Sequence, residues 1–266
     1  MGNKRPVLGS AAGEAGLAQF SGKCVLVTGA TTGIGFAAAK AFLAEGGQVA
    51  ITGQNAGRLD DAAGALPGAV PILADAGSVA DAEMIARVIE DRFGRLDVMF
   101  LNAGIAPRST LAQITEAKFD EMFAVNVKGI VFPVQKLEHL LPVGASIIVT
   151  TSMNNRVGME KTHLYSASKA AARSLVRTLA NELSDRRIRV NAISPGPVAT
   201  AMATKVDMSE EEVRALGARI MPRIPLARVA EADEIAKIAL FLASDAASYM
   251  TGAELMADGG WTDVAP

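Results

Sequence analysis

The chain is predicted to fold as a doubly wound α/β protein, a parallel sheet with helices on both faces, and three observations predict it. Short, uninterrupted apolar runs alternate with longer stretches of helical composition along most of its length. The first apolar run passes directly into a glycine-rich turn, Gly29 to Gly35. Polar or glycine residues recur at the carboxyl ends of the expected strands, the edge where ligands of such sheets sit.

Taken in order, residues 23–28 (Lys-Cys-Val-Leu-Val-Thr) read as a strand buried on both faces. The run 34–45, rich in Ala, Phe and Leu, reads as a helix stopped by Gly46-Gly47, and 48–52 as a second strand, which completes a βαβ unit. Gly29, Gly33 and Gly35 would let the backbone turn tightly and approach a pyrophosphate, whose charge the free N–H groups of the helix start would hold. Strands follow at 70–74, 96–102, 146–151, 188–194 and 254–257; helices are expected at 80–93, 115–140, Tyr165 to about Leu183, and 231–243. The glycine turn then ends strand one, Asp75 strand three, Asn102 strand four and Pro195 strand six, while Ser152 follows strand five. Core packing gives no reason for so many polar loops at one edge; a ligand does.

Tyr165 and Lys169 lie one helical turn apart, so both side chains share a face. A phenol titrates near pH 10, and a fixed positive charge beside it favours the phenolate, bringing proton transfer toward a useful range. Ser152 is placed to supply a second hydrogen bond to an oxygen gaining negative charge.

Thr28-Gly29-Ala30-Thr31-Thr32-Gly33-Ile34-Gly35 departs from the common dinucleotide fingerprint. Combined with Asn102-Ala103-Gly104, a serine thirteen residues before Y-x-x-x-K, and Pro195-Gly196-x-Val198-x-Thr200, it resembles the short-chain dehydrogenase/reductase family over residues 21–260. The resemblance implies a Rossmann-like fold and hydride transfer between a nicotinamide cofactor and a secondary alcohol/ketone pair. It implies that Tyr165 is the general acid/base, that Lys169 also holds the nicotinamide ribose, and that Asn126 supports a water leading protons to that lysine. Asn126 otherwise reads as an ordinary mid-helix polar residue. By the same resemblance Asp75 would bond the adenine amino group, Asn102, Ala103 and Gly104 would pack beside the adenosine ribose, and Val198 and Thr200 would grip the carboxamide; Asp75 also reads as a helix cap. A dehydratase or epimerase on a related scaffold, and a non-catalytic dinucleotide sensor, are the rival readings. The short stretch after Thr200 disfavours the first, and the intact Asn126-Ser152-Tyr165-Lys169 set the second.

Cofactor choice is read at Gly53-Gln54-Asn55, where an acid would bind the ribose 2′-hydroxyl and repel a 2′-phosphate. Gly53 removes the acid, while Gln54, Asn55, Thr32 and Arg58 could bond a phosphate, so NADP(H) is favoured over NAD(H). Met153, Asn154, Asn155, Arg156 and His163 flank the expected substrate pocket, and 201–224, with Met202, Met208 and Met221, reads either as a mobile flap over it or as core.

At 266 residues and 50% hydrophobic, the chain suits one core, with 1–20 as a mobile extension and 21–266 as the dinucleotide-binding and catalytic domain. A net charge of −2 gives no field for nucleic acid. The single cysteine, Cys24, forms no intrachain disulfide, neither histidine has metal-ligating company, and no apolar run suits a membrane, so a cytoplasmic protein is expected. Pro6 breaks the myristoylation pattern begun by Met1-Gly2. The small-residue face Ala167, Ala170, Ala171 and Ser174, with Trp261 near the end, predicts a homotetramer, as the resemblance does.

Overall fold

The computed structural model describes residues 18–200 and 210–264. Seven parallel strands form the central sheet: β1 (Cys24–Val27), β2 (Gln48–Gly53), β3 (Val70–Leu73), β4 (Val98–Leu101), β5 (Ser146–Thr150), β6 (Arg189–Pro195) and β9 (Glu254–Ala257), in the order β3-β2-β1-β4-β5-β6-β9. A separate two-stranded ladder pairs β7 (Val198–Ala199) with β8 (Ala230–Glu231). The chain reverses direction across the sheet between β1 and β4, so a crevice opens there at the carboxyl edge.

Helices α1 (Gly33–Ala44), α2 (Ala56–Ala65) and α8 (Ala232–Ala243) cover one face, where Ala38, Phe42, Leu59, Ile235 and Leu242 pack on Val27, Ile51 and Ile148. Helices α3 (Val79–Phe93), α5 (Gly129–Leu137) and α6 (His163–Glu182) cover the other, where Ile85, Ile89, Val134 and Val176 pack on Leu26, Met99 and Ile147. Both faces being covered, the strands read as unbroken apolar runs rather than alternating ones.

The structure corrects two expectations and adds two elements. Phe20, assigned to the N-terminal extension, is 2% exposed and packs edge-on against Phe42 at 4.9 Å, its N–H donating to the Glu45 carbonyl at 2.8 Å. The helix α2 went unrecognised; Asn55 caps it, accepting from the backbone N–H of Arg58 at 2.9 Å. The single helix expected over 115–140 is α4 (Glu116–Phe123), a π turn over 124–128, α5, and a 3₁₀ turn over 138–140. Pro133 removes the donor that the Gly129 carbonyl would use, and Gly129 is where the helix resets after the π turn. In the segment read as flap or core, Met202 and Met208 lie outside the described residues, and 210–220 forms helix α7 (Glu210–Ile220), followed by a 3₁₀ turn at 221–223. Among the described residues, no helix is long and apolar enough to cross a membrane, and no cluster of His, Cys, Asp and Glu could hold a metal ion. Cys24 is free and buried, as its place in the first strand required.

Candidate active site

The glycine turn is built by contact. Gly29 has φ +64°, and a Cβ there would lie 2.8 Å from Cα of Ala103; a Cβ on Gly35 would lie 2.4 Å from the Gly29 carbonyl oxygen. Only glycine fits either place. Thr28 Oγ1 accepts from the backbone N–H groups of Asn102 and Ala103 at 3.0 and 3.1 Å, and Asn102 Nδ2 donates to the Thr28 and Gly29 carbonyls, each at 3.2 Å. The β1 and β4 loops are thereby locked together at the crevice. Helix α1 starts with no side-chain cap at Thr32 and no acid in its first turn, so its N–H groups are left to an outside anion. An uncapped helix start beside a tight glycine turn suits a pyrophosphate, and the residues present fit a dinucleotide. Thr200 closes on the turn from above, its Cβ and Cγ2 each 3.2 Å from where a Gly33 Cβ would stand.

Lys169 is 4% exposed on α6, and its Nζ donates to the Thr150 carbonyl at 2.7 Å and lies 5.8 Å from the Tyr165 ring centre. Burial lowers its pKa from 10.5 to about 8. The phenol does not behave as its lysine neighbour alone predicts. Burial pushes Tyr165 above its usual value, and the opposing influence is a hydrogen bond with the Ser152 hydroxyl. Desolvation outweighs that hydrogen bond, so the phenol stays protonated in the free protein.

Asn126 sits in the π turn, fully buried. Its Oδ1 accepts from the Ile105 N–H at 2.9 Å, and its Nδ2 donates to the Ile105 carbonyl and to Ser168 Oγ, each at 3.0 Å. A Cβ on Gly104 would lie 3.3 Å from both Asn126 Oδ1 and Lys169 Nζ, so this glycine admits both side chains to one place. The four expected residues come together from a π turn, a strand end and one helix.

Other expected residues are placed as follows. Asp75 is exposed beyond β3, and its Oδ1 accepts from Gly77 N–H at 2.8 Å; the cap of α3 is Ser78, not Asp75. Gln54 is exposed at the end of β2, and Gly196 packs so closely on Asp258 that a Cβ would lie 2.6 Å from its Cα. Met153 is buried, Asn154 half-buried and His163 exposed at the start of α6. Asn155 and Arg156 turn away from the pocket toward Glu254, a buried carboxylate that sequence reading passed over. Its only signal was an acid inside a short apolar strand.

Residues 29–262 match the family model described as enoyl-(acyl carrier protein) reductase. Over 254 residues the chain is 36% identical to a 3-oxoacyl-[acyl-carrier-protein] reductase of Thermotoga maritima, covering 91% of this chain and 98% of that one. It is likewise 36% identical over 254 residues to a glucose 1-dehydrogenase of Gluconobacter oxydans, covering 92% and 93%. A putative short-chain alcohol dehydrogenase of Sinorhizobium meliloti superposes with a TM-score of 0.86 at 32% identity, covering 92% and 98%. The chain therefore belongs to the short-chain dehydrogenase/reductase family and is a nicotinamide-dependent oxidoreductase.

Proposed function

We propose that the protein interconverts a ketone and a secondary alcohol, with Tyr165 exchanging the proton. The observation that carries this reading is the buried Lys169 Nζ lying 5.8 Å from the Tyr165 ring centre and meeting Asn126 Oδ1 at Gly104. The nicotinamide, when bound, supplies or accepts the hydride. The protonated phenol donates to the carbonyl oxygen as negative charge builds there, and Ser152 donates a second hydrogen bond to the same oxygen. The phenol enters the reduction step protonated, and the Ser152 hydroxyl opposes the rise that burial gives its pKa. Lys169, balanced near pH 8, passes a proton onward, and Asn126 holds the loop carrying Gly104 against it.

Gly29, Thr31, Thr32, Gly33, Ile34 and Gly35 would hold the pyrophosphate; Asp75, Asn102, Ala103 and Gly104 the adenosine; Pro195, Gly196, Val198 and Thr200 the nicotinamide side. NADP(H) is favoured and NAD(H) usable. Gly53 places no acid at the ribose, and Gln54 and Arg58 stand exposed beside it. The substrate is a small carbonyl compound, bordered by Met153, Asn154 and His163. The working form is a homotetramer in the cytoplasm: Ala167, Ala170 and Ser174 are exposed on α6, and Phe241 and Tyr249 stand 39% and 104% exposed near the sheet edge.

A ketone panel headed by ethyl acetoacetate, run with NADPH and NADH, finds the assay substrate. On it Tyr165→Phe should lose far more than tenfold in kcat while dinucleotide binding stays within about twofold. Retention of more than about a tenth of kcat, under about 1.4 kcal/mol, rejects the acid assignment.

A further inference from the structure

Glu254 lies on β9, the edge strand of the sheet, yet its side chain is 2% exposed. A carboxylate withdrawn from water needs partners, and it has four. Its Oε1 accepts from Thr151 Oγ1 at 2.7 Å and from Asn155 Nδ2 at 2.6 Å. Its Oε2 faces Arg173 Nε at 3.3 Å and Arg156 Nη2 at 3.5 Å.

These partners bracket the reacting groups. Thr151 precedes Ser152, and Asn155 ends the 3₁₀ turn Met153–Asn155, which Ser152 caps by accepting from Asn154 N–H at 3.2 Å. Arg173 follows Lys169 by four residues and Tyr165 by eight, so it continues the same face of α6. Its Nη1 is buried without a hydrogen-bond partner, which leaves Glu254 to compensate its charge. One carboxylate thus ties the Ser152 turn, from both of its ends, to the helix that carries Tyr165 and Lys169.

We propose that Glu254 is a positioning residue, whose Oε1 holds the Ser152 turn in register with Tyr165. The inference rests on the catalytic reading above. It requires an acceptor at position 254, whereas the negative charge serves only to balance the arginines.

Two double variants separate acceptor from charge. Glu254→Leu with Arg173→Met, and Glu254→Gln with Arg173→Met, remove the same ion pair, but only the second keeps an oxygen facing Thr151 and Asn155. Wild type, both double variants and Tyr165→Phe are assayed on the ketone found by the panel, with dinucleotide affinity and Tm measured alongside. The Leu variant is expected to lose about tenfold or more in kcat with dinucleotide affinity within about twofold of wild type. The Gln variant is expected to recover kcat to within about threefold of wild type. Full kcat in the Leu variant, or equal loss in both, overturns the proposal. Should the Leu variant fail to fold, Thr151→Val, close in shape, deletes one of the two donors; it should lower kcat by about threefold or more, and an unchanged kcat overturns the proposal. A fully active Tyr165→Phe would reject the catalytic reading itself; an inactive Tyr165→Phe beside a fully active Leu variant rejects only the positioning role.

Discussion

Replacing Lys169 by methionine is expected to stabilise the fold at neutral pH while abolishing turnover. The side chain is 4% exposed, and burial lowers its pKa from 10.5 to about 8. At about 1.36 kcal/mol per pH unit, that displacement penalises the charged form by about 3 kcal/mol. Below pH 8 the folded and unfolded chains both hold the proton, so the penalty is fully present. Between pH 8 and 10.5 the folded chain releases the proton while the unfolded chain keeps it, so wild-type stability rises with pH. Methionine has no such titration and fills a similar volume. It also leaves the Thr150 carbonyl without its donor, a loss of about 1–3 kcal/mol that does not vary with pH and cancels when two pH values are compared. Urea unfolding of both proteins at pH 7 and pH 9.5, at one protein concentration, isolates the titration. The wild type should gain about 2 kcal/mol on the variant between the two pH values. A relative gain under about 0.5 kcal/mol, or a relative loss, would refute the claim that Lys169 is held charged against burial.

Gly53→Asp alone should lower Tm without producing a clean preference for NAD(H), because its Cβ would stand 2.3 Å from Cγ2 of Thr31; overpacking of this kind costs about 1–3 kcal/mol. Paired with Thr31→Ser, which removes that methyl, it should move the kcat/KM ratio toward NAD(H) by about tenfold or more, and a ratio that does not move removes Gly53 from cofactor choice. Phe20→Ala should destabilise by about 3–5 kcal/mol, given its burial against Phe42, and a Tm within about 2 °C of wild type would show the ring to be dispensable. Light scattering at micromolar concentration should give four times the mass of one chain; a monomer would reject the tetramer.

The sequence by itself determined the layered fold. Strands covered on both faces must be apolar without alternation, and the runs around Val25, Val49, Met99, Ile147 and Val190 announce this directly. The glycine turn was equally plain, because Gly29 and Gly35 stand where backbone meets backbone and no other residue fits. Helical spacing put Tyr165 and Lys169 on one face, and only the glycine turn, Asn102-Ala103-Gly104 and Ser152 around them gave the pair its meaning. Local pattern failed where a distant group decided the outcome. The π turn that carries Asn126 is followed by Gly129, packed so closely on Ala76 that a Cβ would lie 2.9 Å from its carbonyl oxygen, a contact with a distant loop that hydrophobic periodicity does not record. Phe20 looked like the end of a loose extension because the ring that buries it, Phe42, lies on another element. Proximity of Tyr165 to Lys169 implied a lowered phenol pKa, yet desolvation acts on both groups, raising the phenol and lowering the ammonium. Glu254 gave only the sign of an acid in a short apolar strand, since its partners follow β5, in the Ser152 turn and on α6. Spacing along a chain fixes which side chains share a face; burial, and the choice of partner that burial enforces, exist only once the faces have met.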